Sequence, residues 1–600
     1  MESAALDKIE RPVDDRRRLK NEQWGSDIAA NLLRDLGIEY ITINPGASFR
    51  GFHDSLVNHL GNRAPKILLC LNEDHVVSIA HGYAKATDKP MACVLHSNVG
   101  LMHGSMAIFN AWCDRMPIVV IGATGPGDAF KRRPWIDWIH TMKDQGALIR
   151  AFTKWDDEPR SADALAEAML RGFQLATTDP FGPVYICLDA ALQEQKIEHD
   201  VNLPNPARYR PPASPSAPDA AVKELAHLLL NAKRPLLLFG RGSRKQGDWE
   251  RRILLAETVG ASVLTSVRER SVFPTEHALH AAQPFYWANQ RVKDIVKNSD
   301  VIVSFDWVDL NGFLLQVARR TDHIQARIAH VSLDNTMHNG ASMDYFSLAP
   351  IDLPILAGPD AVVAQLLPVL ERCLSGARRW DGFSRNQAMR LEYSEAHGKE
   401  IAPRDIEVAL AKIRGQRKFT LAHVTIGWVG DAYAYRDPLD FLGHDGGAGL
   451  AAGPGLTIGA ALALKNSERP VISVLGDGDF LQGAMALWTA AHYHLPALFI
   501  VSNNRSNFND EIHQETVAKM RGRPTENKWI GQRIDNPPVD IATLARSQGV
   551  AAEGPVTTVP ALEEAIVRGL NVLRSGQPYL IDVVVKPGYF TPPLCRGTEQ

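Results

Sequence analysis

The chain has 600 residues, too many for one core and enough for three or four domains of ordinary size. Lys plus Arg number 65 and Asp plus Glu 68, a formal net charge of −3 that leaves no electrostatic footprint for a nucleic-acid or membrane-surface partner. Hydrophobic residues at 45% can fill a large interior, which excludes a disordered or fibrous chain. The six cysteines, Cys70, Cys93, Cys113, Cys187, Cys373 and Cys595, are never closer than twenty residues, so no C-x-x-C cluster or dense disulfide framework is expected. The N-terminus is polar and no run of eighteen apolar residues occurs, so a soluble, cytoplasmic protein is expected.

In chain order, a polar tail over 1–20 precedes a block at 21–195 with apolar runs YITIN, KILLCLN, MACVLHS, PIVVIGA and PVYICLD. Residues 196–218 form a linker, six prolines falling between 201 and 219, where fixed φ and missing donors favour an extended chain. A second block, 219–372, offers PLLLFG, ASVLTS, DVIVSFD and IAHVSLD. A polar stretch at 373–403 then leads to a third block with a C-terminal tail, 404–600, carrying PVISVLGDG, PALFIVSNN and PYLIDVVV. Continuous apolar runs suit strands covered on both faces, and helical patterns such as Val76, Ile79, Ala80, Tyr83 lie between them. Three consecutive doubly wound parallel-sheet α/β domains are expected.

The strongest signal is ISVLGDGDFLQGAMALWTAAHYHLPALFIVSNN, residues 472–504. It reads as strand, glycine turn Gly476-Asp477-Gly478, a helix to about His494, and a second strand ending at Asn503-Asn504. Asp477 and Asn504 would project from carboxyl ends of parallel strands, where open α/β sheets bind ligands. A carboxylate and an amide oxygen are hard donors suited to Mg²⁺ shared with a phosphate, and the glycines let backbone N–H groups approach that phosphate. A calcium loop starting at Asp477 is excluded, because its sixth and twelfth positions hold Gln482 and Trp488. A dinucleotide fingerprint over Gly447, Gly449 and Ala452 follows a poor strand, and a nucleotide-binding dehydrogenase stays an alternative on that ground.

The GDG turn followed by a double asparagine resembles the thiamine-diphosphate-dependent enzymes of the acetolactate synthase, benzoylformate decarboxylase and pyruvate decarboxylase type. The resemblance implies pyrimidine-binding, central and diphosphate-binding domains in that order. It implies Asp477, Asn504 and the Ser506 carbonyl as Mg²⁺ ligands, with Gly476, Gly478 and Asn504 beside the diphosphate. Asp479 stands where the family has a small hydroxyl residue touching the diphosphate, an awkward charge that can instead turn away and cap a helix. KILLCLNEDHVVSIAHGYAKATDKP matches the family's glutamate segment, with Glu73 in place and Asp88 replacing a glycine. Glu73 is implied as the proton-holding partner of the cofactor's aminopyrimidine, in a pocket walled by the apolar run Leu68–Leu71. In HDGGAGLAAGPG, Leu450 is implied as the wedge beneath the cofactor, with Ala448 as the alternative.

Substrate specificity is less marked. NPGAS, residues 44–48, resembles the loop beside the reacting centre but has Ala47 where the family carries a polar residue, and Ala123 likewise replaces a glutamine. The L-H-S step resembles benzoylformate decarboxylase and implies His96 as a catalytic proton shuttle. HALHAAQPFYWANQ lacks the glycines that hold FAD in acetolactate synthases, so FAD is not expected. The expected activity is decarboxylation of a 2-oxo acid through an enamine, with a carboligase of the acetolactate synthase kind or an inactive member as alternatives. The resemblance also implies a cofactor shared between two chains, hence a homodimer at minimum and a homotetramer as a common outcome.

Overall fold

The computed structural model describes residues 6–13, 22–198, 201, 203–318, 320, 323–337, 346–384 and 400–588. Cys595, most of the N-terminal tail and the middle of the 373–403 stretch lie outside the described residues.

Three parallel sheets follow one another along the chain. The first contains β1 (Tyr40–Ile43), β2 (Lys66–Leu69), β3 (Met91–Val94), β4 (Ile118–Thr124), β5 (Trp155–Asp157) and β6 (Val184–Asp189), ordered β2-β1-β3-β4-β6-β5. The second holds β7 (Pro235–Phe239), β8 (Ser262–Thr265), β9 (Val301–Phe305), β10 (Arg327–Val331) and β11 (Leu353–Ile355), ordered β11-β10-β9-β7-β8. The third holds β12 (Thr420–His423), β13 (Val471–Gly476), β14 (Ala497–Asn503), β15 (Ala551–Val556) and β16 (Tyr579–Val584), ordered β12-β13-β14-β16-β15. Every pair is parallel, and central strands such as β4, β6, β7, β9 and β14 are buried along their whole length. That is the environment the unbroken aliphatic runs demand.

Four strands have no counterpart among those runs: β5, β11, β12 and β15. Each lies at a sheet edge, where one side lacks a neighbour and short or polar sequences such as WDD and AAEGPV suffice. The helix expected from the GDG turn to His494 is also corrected. It breaks at Ala484-Met485 into Asp477–Gly483 and Ala486–His492.

The first and third sheets meet through two helices, Glu73–Thr87 and Ala452–Leu464. Glycines set their approach. A methyl on Gly82 would stand 2.1 Å from the Leu456 carbonyl oxygen, and one on Gly459 2.0 Å from that of Ile79. The first helix ends at Asp88, which holds the left-handed conformation (φ 55°) where glycine is the usual solution. Aspartate tolerates that region, and here its carboxylate earns a place by docking the central sheet. One oxygen accepts the Arg244 backbone N–H at 3.0 Å and the other pairs with the Arg270 guanidinium. Burial opposes charge on Asp88, but these two arginines hold its pKa below the ordinary value. Lys85 and His81 of the same helix both reach Asp114, at 2.6 and 2.9 Å. Burial would raise Asp114, yet the Lys85 ammonium, with help from His81, holds it at about 2.

Candidate active site

In the first sheet the strand order reverses beside β1, so the tips of β1, β2 and β3 are adjacent. This brings together the 44–48 loop, Glu73 and His96, three features scattered over fifty residues of sequence. Asn72 caps the helix that Glu73 opens, its side chain accepting the Asp74 N–H at 2.9 Å. Glu73 is 9% exposed. Its wall differs from the expected Leu68–Leu71 run: Leu68 lies in the sheet core, whereas Leu71 is exposed. Gly100 and Gly104 of the Ser97–Cys113 helix pack against it instead. A methyl at Gly100 would come within 3.1 Å of Glu73 Oε1, so the glycine makes room for the carboxyl group. His103 on that helix, which sequence reasoning did not single out, approaches Glu73 Oε2 at 3.8 Å.

His96 follows β3, and its Nδ1 meets the Ser48 hydroxyl at 2.8 Å while its ring meets that of His140 edge-on at 4.6 Å. Gly46 permits this, since a methyl there would fall 2.3 Å from the imidazole. Burial, then the neighbouring His140, pushes His96 below its ordinary pKa, so it is neutral and able to take up a proton at neutral pH. Ala47 begins a short 3-10 turn in this loop and brings no polar atom to it.

In the third sheet β13 and β14 are neighbours, with Gly476 paired to Ser502. Their tips place Asp477 and Asn504 side by side. Asp477 Oδ1 accepts the Gly478 N–H at 2.9 Å and Oδ2 accepts the Ser506 N–H at 3.1 Å; Asn504 Oδ1 accepts the same Ser506 N–H at 2.9 Å. Arg505, with φ 56°, turns the chain between them. Ser506 is fixed by its hydroxyl bond to Glu511 Oε1 at 2.5 Å, and Asn503 by its bond to Asp582 at 2.9 Å. Gly478 packs so closely to Asn507 that a methyl would fall 2.7 Å from its Oδ1. Asp477 is buried, and burial raises its pKa to about 6. A buried carboxylate whose only partners are neutral N–H groups, beside an amide oxygen, is a donor set that fits Mg²⁺.

Asp479 turns away from Asp477. Its Oδ1 accepts the Ala451 N–H at 2.9 Å, at the start of the Ala452–Leu464 helix, and a methyl on Gly453 would meet Oδ2 at 2.4 Å. The glycine-rich loop before that helix lies on the Ser97–Cys113 helix, Gly449 against Met106. Leu450 is 48% exposed, and Ala448 holds φ 51°.

Comparison with known proteins accords with this geometry. Residues 23–151, 222–366 and 424–583 match models of the N-terminal TPP binding, central and C-terminal TPP binding domains of thiamine pyrophosphate enzymes. Benzoylformate decarboxylase of Pseudomonas aeruginosa is 25% identical over 92% of this chain and 97% of its own. The acetolactate synthase large subunit of Corynebacterium glutamicum is 24% identical over 94% of this chain and 86% of its own. Among solved structures, benzoylformate decarboxylase from Polynucleobacter necessarius superposes with a TM-score of 0.77 at 20% identity, covering 94% of this chain and 100% of the other. The described residues contain no helix long and apolar enough to cross a membrane.

Proposed function

The chain belongs to the thiamine pyrophosphate enzyme family, and from that premise we propose a thiamine-diphosphate- and Mg²⁺-dependent enzyme that decarboxylates a 2-oxo acid. The observation that carries this reading is the convergence of Asp477 and Asn504 on the single N–H of Ser506. In it, Asp477, Asn504 and the Ser506 carbonyl hold the metal and Gly476 and Gly478 leave space for the diphosphate. Thiamine diphosphate, when bound, would supply a carbon nucleophile for the substrate carbonyl and an electron sink for the loss of CO₂. Glu73, with room made for its carboxyl group by Gly100, would hydrogen-bond the aminopyrimidine ring nitrogen. His96, neutral and oriented by Ser48, takes or returns a proton at the reacting carbon. Leu450 would pack against the bound cofactor.

The site is proposed to be complete only in a homodimer, with a homotetramer as the larger assembly. Leu71, Met102, Met106 and Leu450 support this: all four are apolar and exposed around Glu73 and the glycine-rich loop, where a second chain would cover them. Light scattering on the purified protein tests the assembly. The activity is tested by incubating the loaded chain with aliphatic and aryl 2-oxo acids. Release of CO₂ with the matching aldehyde is expected. A ligated product formed only with an added acceptor aldehyde would make the carboligase the working activity, and neither product from any substrate would overturn the reading.

A further inference from the structure

Beside the glycine-rich loop lies a second cluster that the proposed cofactor site does not use. His423 ends β12, and His444 and Asp445 precede the loop that carries Leu450. Asp445 Oδ1 lies 3.4 Å from His423 Nε2 and 2.6 Å from His444 Nδ1, and one donor atom of each residue lies within 4.8 Å of the others. The position is built rather than incidental. His423 and Asp445 are buried, the His444 N–H donates to the Arg268 carbonyl at 3.0 Å, and its own carbonyl accepts from Lys85. The His444 ring also meets Tyr286 edge-on at 5.7 Å. All three parts of the chain therefore grip this one residue.

A separate observation points to a ligand. Asp479 is 8% exposed, and its Oδ2 is buried without a hydrogen-bond partner, although Oδ1 is occupied by Ala451. Its bonded partner Ala451 belongs to the glycine-rich loop that His444 and Asp445 precede. Asp74 adds a third carboxylate to the same neighbourhood. The nearby ammonium, Lys85, is already paired with Asp114 at 2.6 Å. Concentrated buried carboxylates cost folding free energy unless a cation compensates them.

We propose that His423, His444 and Asp445 bind a divalent cation of the borderline, nitrogen-accepting class, Zn²⁺ or a neighbouring first-row metal, separate from the Mg²⁺ held at Asp477. Two imidazoles, which give up any bound proton to the solvent on ligation, and one carboxylate suit such ions, whereas Mg²⁺ prefers an all-oxygen shell. Tetrahedral bonds of about 2 Å place ligand atoms roughly 3.3 Å apart, which the observed separations bracket. Three protein ligands leave the fourth position of the ion to a water. Bound there, the ion ties the β12 edge to the loop ahead of the Ala452–Leu464 helix, and so fixes the backbone from which Leu450 projects.

The test uses the full chain, stripped with a chelator and titrated with Zn²⁺ or Co²⁺ in the absence of thiamine diphosphate, alongside Asp477→Ala. One equivalent of Zn²⁺ is expected in both proteins, and with Co²⁺ both show the intense visible bands of a nitrogen-ligated, low-coordinate ion. His423→Gln and His444→Gln each lose those bands. Uptake that Asp477→Ala abolishes, sulfur-to-cobalt charge-transfer bands, bands unchanged in both histidine variants, or no uptake by the parent chain would overturn the proposal. Because the parent and Asp477→Ala are compared directly, the result stands even if a histidine variant does not fold. It is also independent of whether the chain decarboxylates anything.

Discussion

Asp477 and Asn504 accept hydrogen bonds from one and the same backbone N–H, that of Ser506, although twenty-seven residues of helix and strand separate them in sequence. Adjacent parallel strands make this possible, and a metal held there as proposed would draw on both oxygens together. In that reading Asp477→Ala removes one ligand and one charge at once. Retention of Mg²⁺ and thiamine diphosphate after dialysis should fall at least a hundredfold, measured by cofactor content, while the far-UV circular dichroism stays as in the parent.

Glu73→Gln keeps the size and burial of the side chain but removes its acid. The cofactor should still bind, with hydrogen–deuterium exchange at its C2 carbon slowed by about a hundredfold or more, as followed by proton NMR after acid quench. Exchange at the parent rate would remove Glu73 from its assigned role.

Asp88→Gly sets two effects against each other. Glycine relieves the left-handed backbone at φ 55°, worth about 1 kcal/mol. It also strips Arg270 and the Arg244 N–H of their carboxylate, which costs roughly 2–4 kcal/mol even for a partly buried pair. The variant should therefore be less stable in urea, against what the backbone angle alone indicates, with Asp88→Asn intermediate.

Asp114→Asn should destabilise the protein by roughly 3–5 kcal/mol at neutral pH, because Lys85 is left buried without its partner. The folded Asp114 titrates near 2, below its unfolded value of about 4, so its stabilising contribution is complete above about 4 and lost as pH falls toward 2. The gap between parent and variant in urea midpoints should narrow over that window.

The interior strands and the family resemblance were legible because each rests on a local pattern. A fully buried strand must be apolar throughout, and the GDG and double-asparagine positions need particular residue types at particular strand tips. Edge strands such as β5 and β15 carry no such obligation and escaped notice. The break at Ala484-Met485 escaped too, since the apolar pattern runs on through it. The Glu73 surroundings depend on Gly100 and Gly104 from another helix, and the His423–His444–Asp445 cluster on a strand and a loop meeting across twenty residues. Contacts of that kind are set by topology, which no local pattern records. Asp479 and Asp88, both departures from the expected residue, acquired partners in Ala451 and Arg270 that only the fold reveals.

The glycine contacts between the Glu73–Thr87 and Ala452–Leu464 helices have a mechanical consequence. Backbone lies directly on backbone there, with Gly82 against Leu456 and Gly459 against Ile79. A protease cut between the central and third sheets would sever the polypeptide without releasing two particles, and the nicked protein should elute from a sizing column as if whole.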